Sequence, residues 1–211
     1  MRMPTEPIIF LLHDNPSAAL ATHSQALPGY PFASTLPFVP DSAHCPVFLI
    51  SGLAEHTRNL RADARASLLL QPADTAEPEA SPRLTLLGDV TACAADPALV
   101  ARYLRYQPGA ERYLALGDFA FYRLQPRRLR MVAGFGQMGW VEAQDWAELA
   151  VLSPDDEAAL LARVKPGHEV LGIDCYGIDW RRDGRRQRLA FEHALDAGAI
   201  AERLSAQGVI D

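Results

Sequence analysis

Strand-like segments follow one another with few helices between them, and this order restricts the possible folds more than any single motif does. Ala18–Ser24 and Phe32–Val39 read as strands joined by a Pro/Gly turn over 25–30, and Pro31 and Pro37 confine the second to an edge or a bulge. Val47–Ile50 and Ala66–Gln71 flank a short helix expected over Arg58–Asp63. Residues 72–82 have loop composition, and Arg83–Cys93 alternates as a long strand with Gly88 placed for a bulge. Asp96-Pro97 supplies an N-cap and a first-turn proline to a helix running through Tyr106. Phe119–Leu124 and Arg127–Phe135 read as two closing strands parted at Gln125-Pro126. About six strands with so few helices predict an antiparallel barrel or sandwich and argue against alternating βαβ units.

After Val141 the pattern changes. Residues 142–152 read as a linker, and 153–211 as a small α+β domain: a helix from Ser153-Pro154 to Val164, two short strands around Ile173–Trp180 and Arg185–Phe191, and a helix over Asp196–Ala206. Residues 1–141 then form the β domain, opened by Ile8–Leu12 as the apolar side of a docking helix. A net charge of −6 argues against a nucleic-acid partner, which needs clustered Lys and Arg. The Arg-rich run Arg181–Arg188 is interrupted by Asp183-Gly184 and reads as a solvated hairpin. No apolar run approaches the roughly 20 residues that cross a bilayer, so no membrane association is expected. Cys45, Cys93 and Cys175 form no C-x-x-C pair, which predicts neither a zinc site nor a disulfide framework and suggests a reducing cytoplasm.

The polar cluster His56-Thr57-Arg58-Asn59 between two buried strands is the main candidate site. Thr57 is placed to cap a helix opening at Arg58, whose free N–H groups and guanidinium suit a phosphate. Ser34 and Ser51, near the ends of neighbouring strands, are expected to add hydroxyl donors. Gly134-x-Gly136-x-x-Gly139 satisfies the text of a dinucleotide motif. Trp140 and Val141 extend an apolar run instead of opening a helix, so a glycine-rich bend is the better reading. The six histidines show no i,i+4 pair, and a metal site would require tertiary convergence; none is expected.

Tyr30–Ser34, Ser51–Leu60, Arg65–Leu69 and Gly134-Phe135-Gly136-Gln137 together resemble the pyridoxamine 5′-phosphate oxidase-related FMN-binding split barrels, with the HugZ-type haem-utilisation branch the most similar. The resemblance covers roughly residues 6–141 and is most specific over Glu55–Asn59; the element order of 153–206 looks like that branch's C-terminal domain. It implies a mainly β fold with helices: a six-stranded antiparallel split β-barrel that forms a homodimer and binds FMN at the subunit interface. Ser34, Ser51, His56, Thr57, Arg58 and Asn59 would then bind the cofactor, with Thr57 and Arg58 on the flavin phosphate, in a flavoprotein oxidoreductase. The haem branch implies the alternative, a haem-binding or haem-degrading protein without flavin, with His168 as the candidate iron ligand.

Overall fold

A computed structural model describes residues 4–72, 77, 81–134 and 137–211. Helix α1 (Glu6–Asp14) turns its apolar face inward through Ile8, Ile9 and Leu12 and leads into an antiparallel sheet. The strands are β1 (Ser17–His23), β2 (Pro31–Pro37), β3 (Val39–Pro40), β4 (Pro46–Ser51), β5 (Arg65–Leu70), β6 (Arg83–Ala92), β7 (Phe119–Gly134) and β8 (Gln137–Glu142). They are ordered β2-β1-β5-β6-β7-β4-β3, with β8 pairing on β7. The sheet therefore has eight strands, where six were expected; the extra ones are the short β3 and the hairpin partner β8. Alternation sets its two faces. Leu20, Leu68 and Leu86 lie in register across three strands and are fully buried. Proline-bounded β2 takes an edge, as its composition predicts.

Several expectations need correction. Gln125-Pro126 does not separate two strands: β7 runs unbroken for 16 residues. β4 pairs with 119–123 and β8 with 128–134, so Pro126 sits where β6 is the only ladder neighbour, at a register shift opposite Gly88. A bulge on a half-paired stretch accommodates a residue that lacks an N–H. The segment read as a linker holds helix α5 (Ala143–Ala147), closed by a reciprocal Glu142/Asp145 capping box and burying Trp146. β7 turns back into β8 through Gly134, which pairs with Gln137, so no helix follows those glycines; Phe135 and Gly136 lie outside the described residues, as does most of the 72–82 loop.

Helix α2 (Glu55–Ala62) joins β4 to β5, and α3 (Pro97–Tyr106), capped by Asp96 as expected, is followed by the single turn α4 (Glu111–Leu114). Beyond α6 (Pro154–Leu161) come three strands, not two: β9 (Val170–Asp174), β10 (Gly177–Arg182) and β11 (Arg185–Ala190), ordered β11-β10-β9, and then helix α7 (Ala197–Ala206). Apolar residues of both sheets, from Ile8 through Phe48 and Ile178 to Ile210, form one continuous buried cluster. No helix among the described residues is long and apolar enough to cross a membrane.

Candidate functional site

Ser34 lies on the inward-facing row of the edge strand β2, in register with Leu20 and hence with Leu68 and Leu86. Its hydroxyl meets the Nδ1 of His56, in the first turn of α2, at 3.2 Å. The Nε2 of that imidazole is buried and has no partner, and burial lowers the ring's pKa, favouring the neutral form. Next to it in sequence, the Thr57 hydroxyl is also buried and unpartnered. Orphaned buried polar atoms are rare enough to call for an explanation, and a bound group is one.

The helix starts earlier than expected. The amides of Thr57 and Arg58 both bond the carbonyl of Ala54, so Ala54 is the N-cap and Thr57 lies inside the helix, capping nothing. Arg58 is exposed and pairs with Glu55 at 2.7 Å, the preferred spacing for neighbours on one helix face. Asn59 is fully buried and structural: its Nδ2 donates to Thr22 at 3.0 Å and its Oδ1 accepts from the Gln25 amide at 2.9 Å. Ser51 donates to Asp118 and accepts from the Leu53 amide at 3.1 Å, bracing the loop before α2. Of the six candidate residues, the structure joins Ser34 and His56 directly and leaves Thr57 poised beside them in sequence. His168 stands apart, exposed in the turn between α6 and β9.

Sequence reasoning missed a second polar centre, between α1, the turn at 41–45 and the second sheet. Fully buried His13 bonds Asp179 through Nδ1 at 2.7 Å and His44 through Nε2 at 3.0 Å. Arg188 reaches both Asp174 oxygens at 2.8 and 2.9 Å and Asp179 at 2.7 Å, while the Tyr106 hydroxyl donates to Asp179 at 2.5 Å. Alongside, Glu157 accepts from Arg102 at 2.5 Å, from Arg105 at 3.1 Å and from the Ile173 amide at 3.1 Å. The hairpin read as solvated thus sends Arg188 inward. Burial pushes the His13 pKa down and that of His44 to about 4, so both rings are neutral near pH 7. Burial alone would raise the two carboxyls, but His13 and Arg188 hold Asp174 at about 2, and Arg188 with His13 holds Asp179 lower still.

His13, His44 and Asp174 bring one ligand atom each within 4.8 Å of one another, the tertiary convergence a metal would need. Arg188 already occupies both Asp174 oxygens, and His13 already bonds Asp179, so an added cation would meet a guanidinium at its carboxylate ligand. The protein's own donors thus take up both carboxylates and lock distant chain segments together, with His44 Nε2 and Arg188 Nε left buried and unpartnered among the described residues. Its partners lie up to 166 residues apart, and no local spacing announces them; the one available signal was strand alternation, which puts Arg186 and Arg188 on one face of β11.

Residues 9–148 match the CREG β-barrel family. The non-canonical haem oxygenase HOZ of Arabidopsis thaliana chloroplasts is 37% identical over 133 residues, which is 62% of this chain; the chain spans about 40% of that protein's length. A protein of unknown function from Agrobacterium tumefaciens superposes with a TM-score of 0.75 over 98% of both chains at 24% identity. A haem-binding protein from Mycobacterium smegmatis does so with a TM-score of 0.63 over 98% of this chain and 100% of its own, also at 24% identity. At that identity the two structures speak to the fold alone, and the fold agrees with the split barrel that the family resemblance implies. With its match running from α1 through α5, this chain belongs to the CREG β-barrel family.

Proposed function

We propose that this chain is a haem-binding split-barrel protein in which His56 is the iron ligand. The observation that carries the reading is the state of that imidazole: Nδ1 is held by Ser34, Nε2 is buried and free of any partner among the described residues, and the ring is neutral by the direction of its pKa shift. A hydrogen bond on one ring nitrogen fixes the tautomer and orientation of the other, which is how ligating histidines are normally held. The kinship with a haem oxygenase over 133 residues supports the choice of cofactor. Bound haem would supply an iron that takes up and activates dioxygen. The chain's own part is to keep the imidazole neutral and to aim it through Ser34. Titrating the protein with ferric haem should give a saturable shift of the Soret band that His56→Ala removes and His168→Ala leaves. A shift that survives His56→Ala would overturn the assignment.

FMN is the second reading, favoured by Arg58 at the opening turn of α2. Its bond to Glu55 is an exposed pair of the kind worth only about 0.3–0.5 kcal/mol, so a flavin phosphate can compete for it. Arg58→Ala should then weaken FMN binding by about 2–4 kcal/mol and leave riboflavin unaffected. Superimposable FMN titrations of variant and parent would remove this reading.

A further inference from the structure

Away from α2, a slot of about 340 Å³ lies between the first sheet and helices α3 and α6. Its volume is at the small end of the range of about 300–1,000 Å³ for small-molecule sites. Val47, Leu99 and Leu161 contribute apolar walls. Two arginines open onto it, each with donor capacity to spare. Arg105 uses Nε on the Leu171 carbonyl and Nη2 on Glu157, leaving Nη1 without a bond among the described residues; Arg123 uses Nε on Asp41 and Nη1 on Gln125, and beyond these its guanidinium has only the weakly accepting Cys45 thiol beside it. The first turns of both helices also line the slot, through Asp96 and Ala98 of α3 and Pro154 and Glu157 of α6, so two positive helix-dipole ends converge on it. Buried Arg102 and Glu157, held by each other, make the inner wall rigid.

We infer that this slot binds a small, largely apolar carboxylate, with its chain against Val47, Leu99 and Leu161 and its carboxylate on the guanidinium nitrogens of Arg105 and Arg123. The three arginines are offset by Asp41, Asp96 and Glu157, so the walls carry no net charge to attract a polyanion. The two guanidinium groups offer charge-assisted donors to one monoanion, and the apolar walls favour its tail. None of these residues takes part in the Ser34–His56 site, so the inference stands apart from the haem reading.

Cys93 reports on the slot directly, because its half-buried thiol lines the cavity while Cys45 and Cys175 are buried. Decanoate should slow maleimide modification of Cys93, read by mass spectrometry of its peptide, and decanol should not. Arg105→Gln should weaken the protection by about tenfold or more, the loss expected for one charge-assisted hydrogen bond. Leu99→Trp, which fills the slot, should abolish the decanoate effect with the circular dichroism unchanged. If Leu99→Trp does not fold, the Arg105→Gln titration decides. No protection by millimolar decanoate, equal protection by decanol, or protection undiminished in Arg105→Gln would each overturn the proposal.

Discussion

Arg188 shows how much one side chain can hold together here. Its guanidinium is ion-paired with both Asp174 and Asp179, and all three are buried. Removing one member of such a group leaves uncompensated buried charge, which costs about 3–5 kcal/mol. Arg188→Met should lower unfolding stability in urea by that amount, and Asp174→Asn added to it should restore part of the loss; a change below 1 kcal/mol would mean that water reaches the cluster. The histidines add a pH dependence whose sign follows from their lowered values. The native state keeps His44 neutral down to about pH 4, whereas an unfolded histidine takes up its proton near pH 6.5. The unfolded state therefore binds more protons across that window, and stability falls as pH drops through it, by on the order of 3 kcal/mol for this ring. His44→Phe should flatten the decline between pH 6.5 and 4 in urea titrations. The further loss below about pH 4 should remain, because the unfolded carboxyls take up protons there while Asp174 stays ionised in the native state down to about pH 2 and Asp179 lower still. His44 also adopts a left-handed backbone, φ 58°, inside a turn in which the Asp41 carboxylate accepts from the Ala43 and Cys45 amides at 2.9 Å, so the local chain is committed to placing this ring.

Among the elements, the β6–β7 pair is a demanding junction, because the register slips between Leu87 and Gly88 where Pro126 crosses. A Cβ at Gly88 would press on the Gln125 backbone carbonyl, a contact that cannot swing aside as a flexible side chain would. Gly88→Ala should therefore cost about 1–3 kcal/mol as an overpacking defect, measured by thermal unfolding, and a neutral result would show that the bulge can slide. The bulge at Gly88 and the cap at Asp96-Pro97 were legible in the sequence because each depends on neighbours in the chain. Pro126 was not, since its tolerance depends on which strands happen to flank residues 124–127. The α2 boundary failed for a related reason: Thr57 is a good cap by type, but the chain turns helical at Ala54 and draws the threonine inside. The Ser34–His56 contact was half legible, since both residues were candidates but the register that brings β2 over α2 was not. Of the lock around Arg188, only the strand alternation that puts Arg186 and Arg188 on one face of β11 was legible, because its contacts join distant segments.

For the whole molecule, the outer face of the main sheet remains to be explained. Ala33, Ala21, Ser67 and Leu87 lie in one row across β2, β1, β5 and β6, and Thr35, Ala19, Leu69 and Thr85 form the next. Small side chains, three of them hydroxyl-bearing, surround two leucines that are 37% and 38% exposed, beside the unpaired edge of β2. We propose that a second copy of the chain covers this face, in a two-fold dimer burying more than about 2,000 Å², as obligate interfaces do. Light scattering at micromolar concentration should give twice 23.1 kDa. Paired substitution of Leu69→Lys and Leu87→Lys places like charges across a two-fold contact without touching the inward row of Leu20, Leu68 and Leu86, so the variant should fold and scatter as a monomer. The variant also tests whether assembly completes the haem site. Ser34 lies on the edge strand that would meet the partner, and a dimer would restrict access to His56 from that side. Haem uptake by the monomeric variant should weaken by about tenfold or more, the order expected when an apolar ligand loses part of its enclosure. A monomeric variant that binds haem as tightly as its parent would show that each subunit carries a complete site, and a parent that scatters at 23.1 kDa would remove the dimer itself.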